Sequence, residues 1–331
     1  MASYPDYDPN LFANGISTTD WESLQTKNPR DPLAPAPLYN VATRSAVQPG
    51  STFKMVTATA GLEAGLNPYI KRRDGGFIKL GDRTFGCVVW NEYRRTHGYL
   101  DMARALEVSC NYYFYDVATG KDWYTGNSLG YKKKITIDDI TGYAKEYGLG
   151  LPTGIEIPET VVPVPSKAGK LENLKSSLRN ILYASSEVYF DKKVVGNPDL
   201  LKQTIEKIVG WMGEDISRND MINKRLVNLG IKKSQIEPLA DLCLYTYFNQ
   251  TDWSTADALN IAIGQGENAY TPLQMANYIA TLGNNGVHNK VSLIKSIENQ
   301  GQYKKGATTK VKVSNNKYFE QIIAGMCSHG H

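Results

Sequence analysis

Scarcity is the first guide to this chain of 331 residues. No apolar run approaches the roughly 18 residues needed to cross a bilayer, and the opening Met1-Ala2-Ser3-Tyr4-Pro5 lacks the shape of a signal peptide. The protein is therefore expected either to work in the cytosol or to carry an export and anchoring segment outside this stretch. Cysteine is sparse. Cys87, Cys110, Cys243 and Cys327 are widely spaced and include no Cys-x-x-Cys pair, which excludes a disulfide framework but does not settle the compartment. A dominant charge of one sign is also missing. The net charge is only +4, and the short clusters Lys71-Arg72-Arg73 and Lys132-Lys133-Lys134 read as solvated turns, so no nucleic-acid partner is expected. Neither low-complexity tracts nor internal repeats occur, and the hydrophobic and charged fractions are ordinary, so the chain is expected to fold as a globule.

A chain of this length buries a substantial core and lies near the upper limit for one domain, so one large domain with an insertion competes with two. Residues 1–50 are rich in Pro, Asn, Asp and Tyr and read as an extended lead-in, because each proline disfavours the α region for its predecessor. Pro49-Gly50 then punctuates the chain, and an Ala-rich helix is predicted over 51–66. Short strands and loops follow over 71–98, and a helix is predicted over 99–117 with the apolar stripe Ala103, Leu106, Cys110, Phe114 and Val117. A further helix is expected over 138–147, and an inserted helical subdomain over about 166–253. Thr271-Pro272 opens another helix that closes at Gly283-Asn284-Asn285-Gly286; 291–297 alternates like a strand, and 317–326 reads as a final helix.

The first chemical candidate is Ser51-Thr52-Phe53-Lys54. On a helix, residues i and i+3 share a face, so the hydroxyl and the amine can meet. A serine hydroxyl is inert near neutral pH without a base, and a desolvated lysine titrates low enough to serve as one. The helix N-terminus favours the oxyanion formed when Ser51 attacks a carbonyl. Spacing alone is weak, because Ser292-Leu293-Ile294-Lys295 and Ser314-Asn315-Asn316-Lys317 share it. Only Ser51 follows a Pro-Gly turn and opens a helix.

With these residues in view, Val47-Gln48-Pro49-Gly50-Ser51-Thr52-Phe53-Lys54 resembles the nucleophile motif of the penicillin-binding transpeptidases. Ser109-Cys110-Asn111 is similar to that family's Ser-x-Asn motif. The run from Ile263-Gly264-Gln265-Gly266 to Met275-Ala276 is similar to its Gly-Gln-Gly stretch and following helix, and Tyr7-Asp8-Pro9-Asn10 resembles the region where class B domains begin. The resemblance is to class B D,D-transpeptidases of the elongation type. It implies Ser51 as acylated nucleophile, Lys54 as general base, Ser109 as proton relay and Asn111 as a hydrogen-bond partner of the substrate amide. Mutating Lys54 to alanine is then expected to abolish acylation and spare the fold. In an unbroken helix Ser109 and Asn111 would point about 200° apart, so both can line one cleft only if the helix breaks near Cys110. Ser217-Arg218-Asn219 and Ser314-Asn315-Asn316 show that Ser-x-Asn also arises freely.

The resemblance further implies an α+β fold, an antiparallel sheet covered by helices on both faces with a helical subdomain beside it. One transpeptidase domain would span 1–331, incomplete at its C-terminal end because the family's Lys-Thr-Gly strand does not occur. That loss would cripple these residues as an enzyme. Expected partners are peptidoglycan stem peptides ending in D-Ala-D-Ala, β-lactams, and the wall-synthesis glycosyltransferase of the same complex, at the outer face of the cell membrane and with a membrane anchor in the full-length protein. A D,D-carboxypeptidase or β-lactamase-like hydrolase and a non-catalytic wall-synthesis scaffold remain alternatives. No cofactor is required for the chemistry. A structural zinc is a further candidate, because Cys87, His97 and Cys110 fall in a short stretch ending inside the second motif, with Asp74, ahead of Asp82, as fourth ligand. Some elongation-type members carry zinc on such mixed ligands near the active site. Core burial of Cys110, or a Cys87–Cys110 disulfide, are the competing readings.

Overall fold

The computed structural model describes residues 3–28, 30–31, 34–297, 301–302 and 308–327. The chain divides into two compact units, one running to Val164 and resuming at Ala258, the other Pro165–Asp257. The class is α+β. Among the described residues, strand pairing is confined to four two-stranded antiparallel ribbons in place of one broad sheet. No helix among them is long and apolar enough to cross a membrane.

The first unit is built around the helix Lys54–Ala64, of which every residue but Glu63 is buried. Small residues make this enclosure feasible. A Cβ on Gly61 would lie 2.5 Å from Val117 Cγ1, so the bare glycine admits the helix Asn111–Thr119 at close range. The helices Ile137–Glu146 and Lys317–Cys327 cover other sides. Gly65 ends the helix at φ 112°, with its N–H on the Leu62 carbonyl and the Leu66 N–H on Gly61, the paired bonds of a left-handed C-terminal cap.

The stretch expected as one helix over 99–117 is instead a ribbon strand, Tyr99–Leu100, and two helices, Met102–Glu107 and Asn111–Thr119. Ser109 breaks them at φ 54°. Its N–H reaches the Leu106 carbonyl and the Cys110 N–H reaches Ala105, so a non-glycine residue occupies a capping position that usually takes glycine. The strand expected over 291–297 shrinks to Ser296–Ile297, paired with Gly301–Gln302. The reason is exposure: Leu293 is 64% accessible and Ser292 donates its hydroxyl to Glu156, so no buried face holds the alternating pattern in register.

The second unit packs the helices Lys167–Ala184, Pro198–Gly210 and Ile236–Asp241 around Leu178, Leu182, Ile205, Ile208, Leu239 and Cys243. Its limits run a few residues beyond the 166–253 expected for the insertion. Arg179 grips Glu206 through Nε and Nη2, and Arg218 grips Asp241 in the same two-point manner.

The glycine turn after the helix Thr255–Ala262 braces the segment carrying Ser51. The Gly50 N–H donates to the Gly264 carbonyl at 3.0 Å, Gln48 Nε2 to the Gly266 carbonyl at 2.8 Å, and Tyr278 Oη to the Thr52 carbonyl at 3.0 Å. Val47 and Tyr270 exchange backbone hydrogen bonds beside them. A Cβ on Gly264, at φ 71°, would lie 2.2 Å from the Gly50 carbonyl oxygen. Gly264→Ala is therefore expected to cost about 2 kcal/mol or more, read as a lower urea midpoint with unchanged slope. Gly142→Ala, on a helix with no atom of the described residues within 4 Å of the new one, is the control, and should be neutral or stabilising. Equal effects of the two would dismiss the brace.

Candidate active site

Ser51 lies in the single 3₁₀ turn Gly50–Phe53, exposed, immediately before the buried helix that begins with Lys54. The i, i+3 relation holds in space: Lys54 Nζ is 3.0 Å from Ser51 Oγ. The break at Ser109 turns both Ser109 and Asn111 toward the same amine. Lys54 Nζ is 2.7 Å from the Ser109 carbonyl oxygen, 3.0 Å from Ser109 Oγ and 2.7 Å from Asn111 Oδ1. The structure thus gathers Ser51, Lys54, Ser109 and Asn111 in one place.

The partner types assign the amine's hydrogens. A carbonyl oxygen accepts and never donates, so Ser109 O and Asn111 Oδ1 each require an N–H. A neutral amine has two, and once both are committed its lone pair remains for a hydroxyl, Ser51 or Ser109, which can donate. Asn111 Nδ2 points to the Gly86 carbonyl at 3.4 Å, which orients the amide with its oxygen toward Lys54. Burial of Lys54, 1% exposed, brings its pKa down to about 8, with the Cys110 and Cys87 thiols pulling the other way. No carboxylate hydrogen-bonds to the amine among the described contacts. The complete burial also revises the expectation for Lys54→Ala: truncation would empty space beside Phe114, whose ring centroid is 5.9 Å from Nζ, and would strand Asn111 Oδ1. Lys54→Met, which keeps the bulk, is the cleaner probe.

Cys110, between the two residues facing Lys54, points elsewhere. It joins Asp74, Cys87 and His97 in a cluster whose donor atoms all lie within 4.8 Å of one another. Cys87 Sγ is 3.9 Å from Cys110 Sγ and 3.5 Å from His97 Nδ1, and His97 Nδ1 is 2.9 Å from Asp74 Oδ2. Both thiols are free, so the disulfide reading is not what the structure holds. Asp82 sits in the turn between the strands Phe77–Leu80 and Arg83–Gly86, outside the cluster. The two thiols share one contact, and the Cys110 neighbour holds the Cys87 thiol below the ordinary cysteine range while burial pushes that of Cys110 up.

Sequence reasoning did not single out Gly86 or Tyr278 and named Gln48 only within the nucleophile motif; the Gly86 carbonyl orients Asn111, while Gln48 and Tyr278 hold the nucleophile turn by donating to the Gly266 and Thr52 carbonyls. Their signal is one of close approach in space, and nothing in local spacing marks it. The accidental Ser-x-x-Lys pairs lie elsewhere: Ser292 is bound to Glu156, and the Ser314 N–H to Glu63.

The family model for the penicillin binding protein transpeptidase domain matches residues 1–214 and 245–329. The chain belongs to that family, in its class B. Peptidoglycan D,D-transpeptidase MrdA of Haemophilus influenzae is 29% identical over 288 residues, covering 84% of this chain and 39% of that protein. The chain thus spans well under half of that relative's length. The crystal structure of Pseudomonas aeruginosa PBP2 in complex with WCK 5153 aligns with a TM-score of 0.63 at 23% identity over 98% of this chain and 52% of that one. The penicillin G acyl-enzyme complex of penicillin-binding protein A from M. tuberculosis aligns with a TM-score of 0.54 at 18% identity, over 98% and 54%.

The Lys54 environment is open to direct measurement. With lysines labelled at Cε, one NMR resonance should titrate with a midpoint near 8, against about 10.4 for ordinary lysines, and should vanish in Lys54→Met. A chain in which every lysine titrates above 10 would remove the case for a neutral amine.

Proposed function

We propose that this chain is the transpeptidase region of a peptidoglycan D,D-transpeptidase. The observation that carries the reading is the Lys54 amine, buried, committed to two carbonyl oxygens and within 3.0 Å of the Ser51 hydroxyl. Lys54 takes the proton of Ser51 as Oγ attacks the carbonyl of the penultimate D-Ala, and the carbon–nitrogen bond to the terminal D-Ala breaks. Ser109 Oγ, also 3.0 Å from the amine, passes the proton to the departing nitrogen. Asn111, held by Lys54 and Gly86, offers its amide to the peptide. An amine from a second stem peptide then releases the acyl group. A β-lactam follows the first half of this course and stays attached. The acyl-enzyme in the M. tuberculosis relative supports that extension. The expected setting is the outer face of the cell membrane, beside the glycosyltransferase of the same complex, with an anchor in the full-length protein.

The Lys-Thr-Gly motif does not occur in this sequence, so the test belongs to the full-length chain; residues 1–331 alone should label far more slowly. Mass spectrometry after penicillin treatment should place one adduct on the peptide holding Ser51. Lys54→Met should slow labelling about 10²–10⁴-fold. Because the neutral amine is the active form, the rate should rise with pH and level off above about 8. An adduct that persists in Ser51→Ala would sink the assignment.

A second reading concerns the Asp74, Cys87, His97 and Cys110 cluster as a zinc centre. Around tetrahedral zinc, sulfur pairs stand about 3.8 Å apart and sulfur–nitrogen pairs about 3.5 Å, against 3.9 Å and 3.5 Å here, while the 2.9 Å hydrogen bond between His97 Nδ1 and Asp74 Oδ2 would have to open for both to ligate. Two buried cysteines, a buried aspartate and a largely buried histidine suit that ion in number and chemistry. All four coordination positions would be filled by side chains, so the metal would brace the Ser109–Asn111 segment and take no part in bond breaking. Elemental analysis should find close to one zinc per chain, with Cys110→Ser less stable than the parent. Less than about a tenth of an equivalent, with Cys110→Ser unchanged, would leave only core packing for these residues.

A further inference from the structure

Next to the Cys110 turn lies a polar cluster that neither the Lys54 amine nor the four-residue donor set uses. A narrow cleft is lined by Arg72, Asp74, Leu100, Tyr112, Tyr113 and Asp116. Arg72 is 8% exposed, Tyr113 2% and Asp116 0%. Three buried atoms on these residues, Arg72 Nε, Tyr113 Oη and Asp116 Oδ2, have no hydrogen-bond partner among the described residues. Unpaired buried polar atoms are rare in folded proteins because each forfeits its hydration. Here they are complementary: the guanidinium N–H only donates, the carboxylate oxygen only accepts, and the phenol does both. The other Asp116 oxygen is already held by the Trp123 N–H at 3.1 Å.

The positions in the chain show what such pairing would control. Arg72 precedes Asp74 by two residues and lies in the ribbon Arg72–Arg73 with Tyr99–Leu100. Tyr113 and Asp116 belong to the helix Asn111–Thr119, which starts directly after Cys110. Between them, Tyr112 packs on Gly75 so closely that a Cβ there would lie 2.6 Å from the tyrosine hydroxyl. The docking of this helix on residues 72–75 therefore sets where Asp74 stands relative to Cys110.

Building on the metal reading above, we propose that Arg72, Tyr113 and Asp116 pair across this cleft as a polar strut that holds Asp74 and Cys110 in ligating register. Arg72 Nε–H and the Tyr113 hydroxyl both donate to Asp116 Oδ2. Arg72 and Asp116 are then positioning residues, which touch no metal themselves and fix the spacing of two groups that do. Outer groups that orient metal ligands typically matter about 10–100-fold in affinity.

The test uses the full-length protein and two measurements. The first is the rate of iodoacetamide alkylation at each cysteine in metal-free protein, followed by mass spectrometry. The second is zinc affinity by competition with a chromophoric chelator. In Arg72→Met and Asp116→Asn, alkylation of Cys87 and Cys110 should rise about tenfold or more, while Cys243, buried in the other unit, keeps its rate. Zinc affinity should fall about 10–100-fold, with partial recovery in Arg72→Lys. Thr59→Val removes a buried hydroxyl bonded to Tyr147 in the same unit and controls for simple loss of stability; it should leave both measurements unchanged. Wild-type rates at Cys87 and Cys110 in the two strut variants, or an equal rise in Thr59→Val, would overturn the proposal. Should the parent protein take up no zinc, the metal reading falls alone, and the alkylation rates decide the strut by themselves.

Discussion

A lysine amine enclosed in protein is the constraint around which the first unit is arranged. Lys54 is 1% exposed, and removing an ammonium from water favours the neutral form, hence its pKa near 8. That enclosure demands acceptors for whatever N–H groups remain and a packed wall elsewhere. The Ser109 carbonyl and Asn111 Oδ1 supply the first, and the small-residue helix Lys54–Ala64 with Phe114 supplies the second. Ser51 is exposed and Ser109 half-buried, so a substrate can reach both hydroxyls.

Burial of the amine depends in turn on a backbone feature. Ser109 takes a left-handed conformation that costs a non-glycine residue about 1–2 kcal/mol, and the cap bonds to Leu106 and Ala105 help to offset it. The break lets alternate residues diverge: Ser109 and Asn111 face Lys54, and Cys110 between them faces Asp74, Cys87 and His97. Three consecutive residues thus belong to two polar clusters, so whatever stiffens one steadies the other. On the far side, the Gly264 turn presses bare backbone on Gly50, fixing Ser51 without any side chain to mark the contact.

The second unit stands apart in its physical character. Its helices Lys167–Ala184 and Pro198–Gly210 enclose an aliphatic core, and two-point arginine pairs tie its surface. The family model passes over residues 215–244, which hold two π-helical segments' worth of irregular turns in part, at Met221–Leu226 and from Leu242. Helical periodicity was readable there because leucine and isoleucine recur on one face. No chemistry was readable, since its buried residues are almost all apolar.

By itself, the sequence determined the residue types and their local geometry. A Pro-Gly turn before Ser51, Lys54 one helical turn on, and Thr271-Pro272 with Gln274 at the next helix start are rules of short range, and the structure follows them. The angular argument over Ser109 and Asn111 even located the helix break, because 200° cannot be bridged along one axis. Tertiary structure decided what depends on packing between distant segments. Burial of Lys54, the choice of Asp74 over Asp82 beside the cysteines, and the fit of Gly264 on Gly50 all involve residues far apart in the chain. The strand expected over 291–297 failed for the same reason, as alternation specifies a strand only where another surface buries one of its faces.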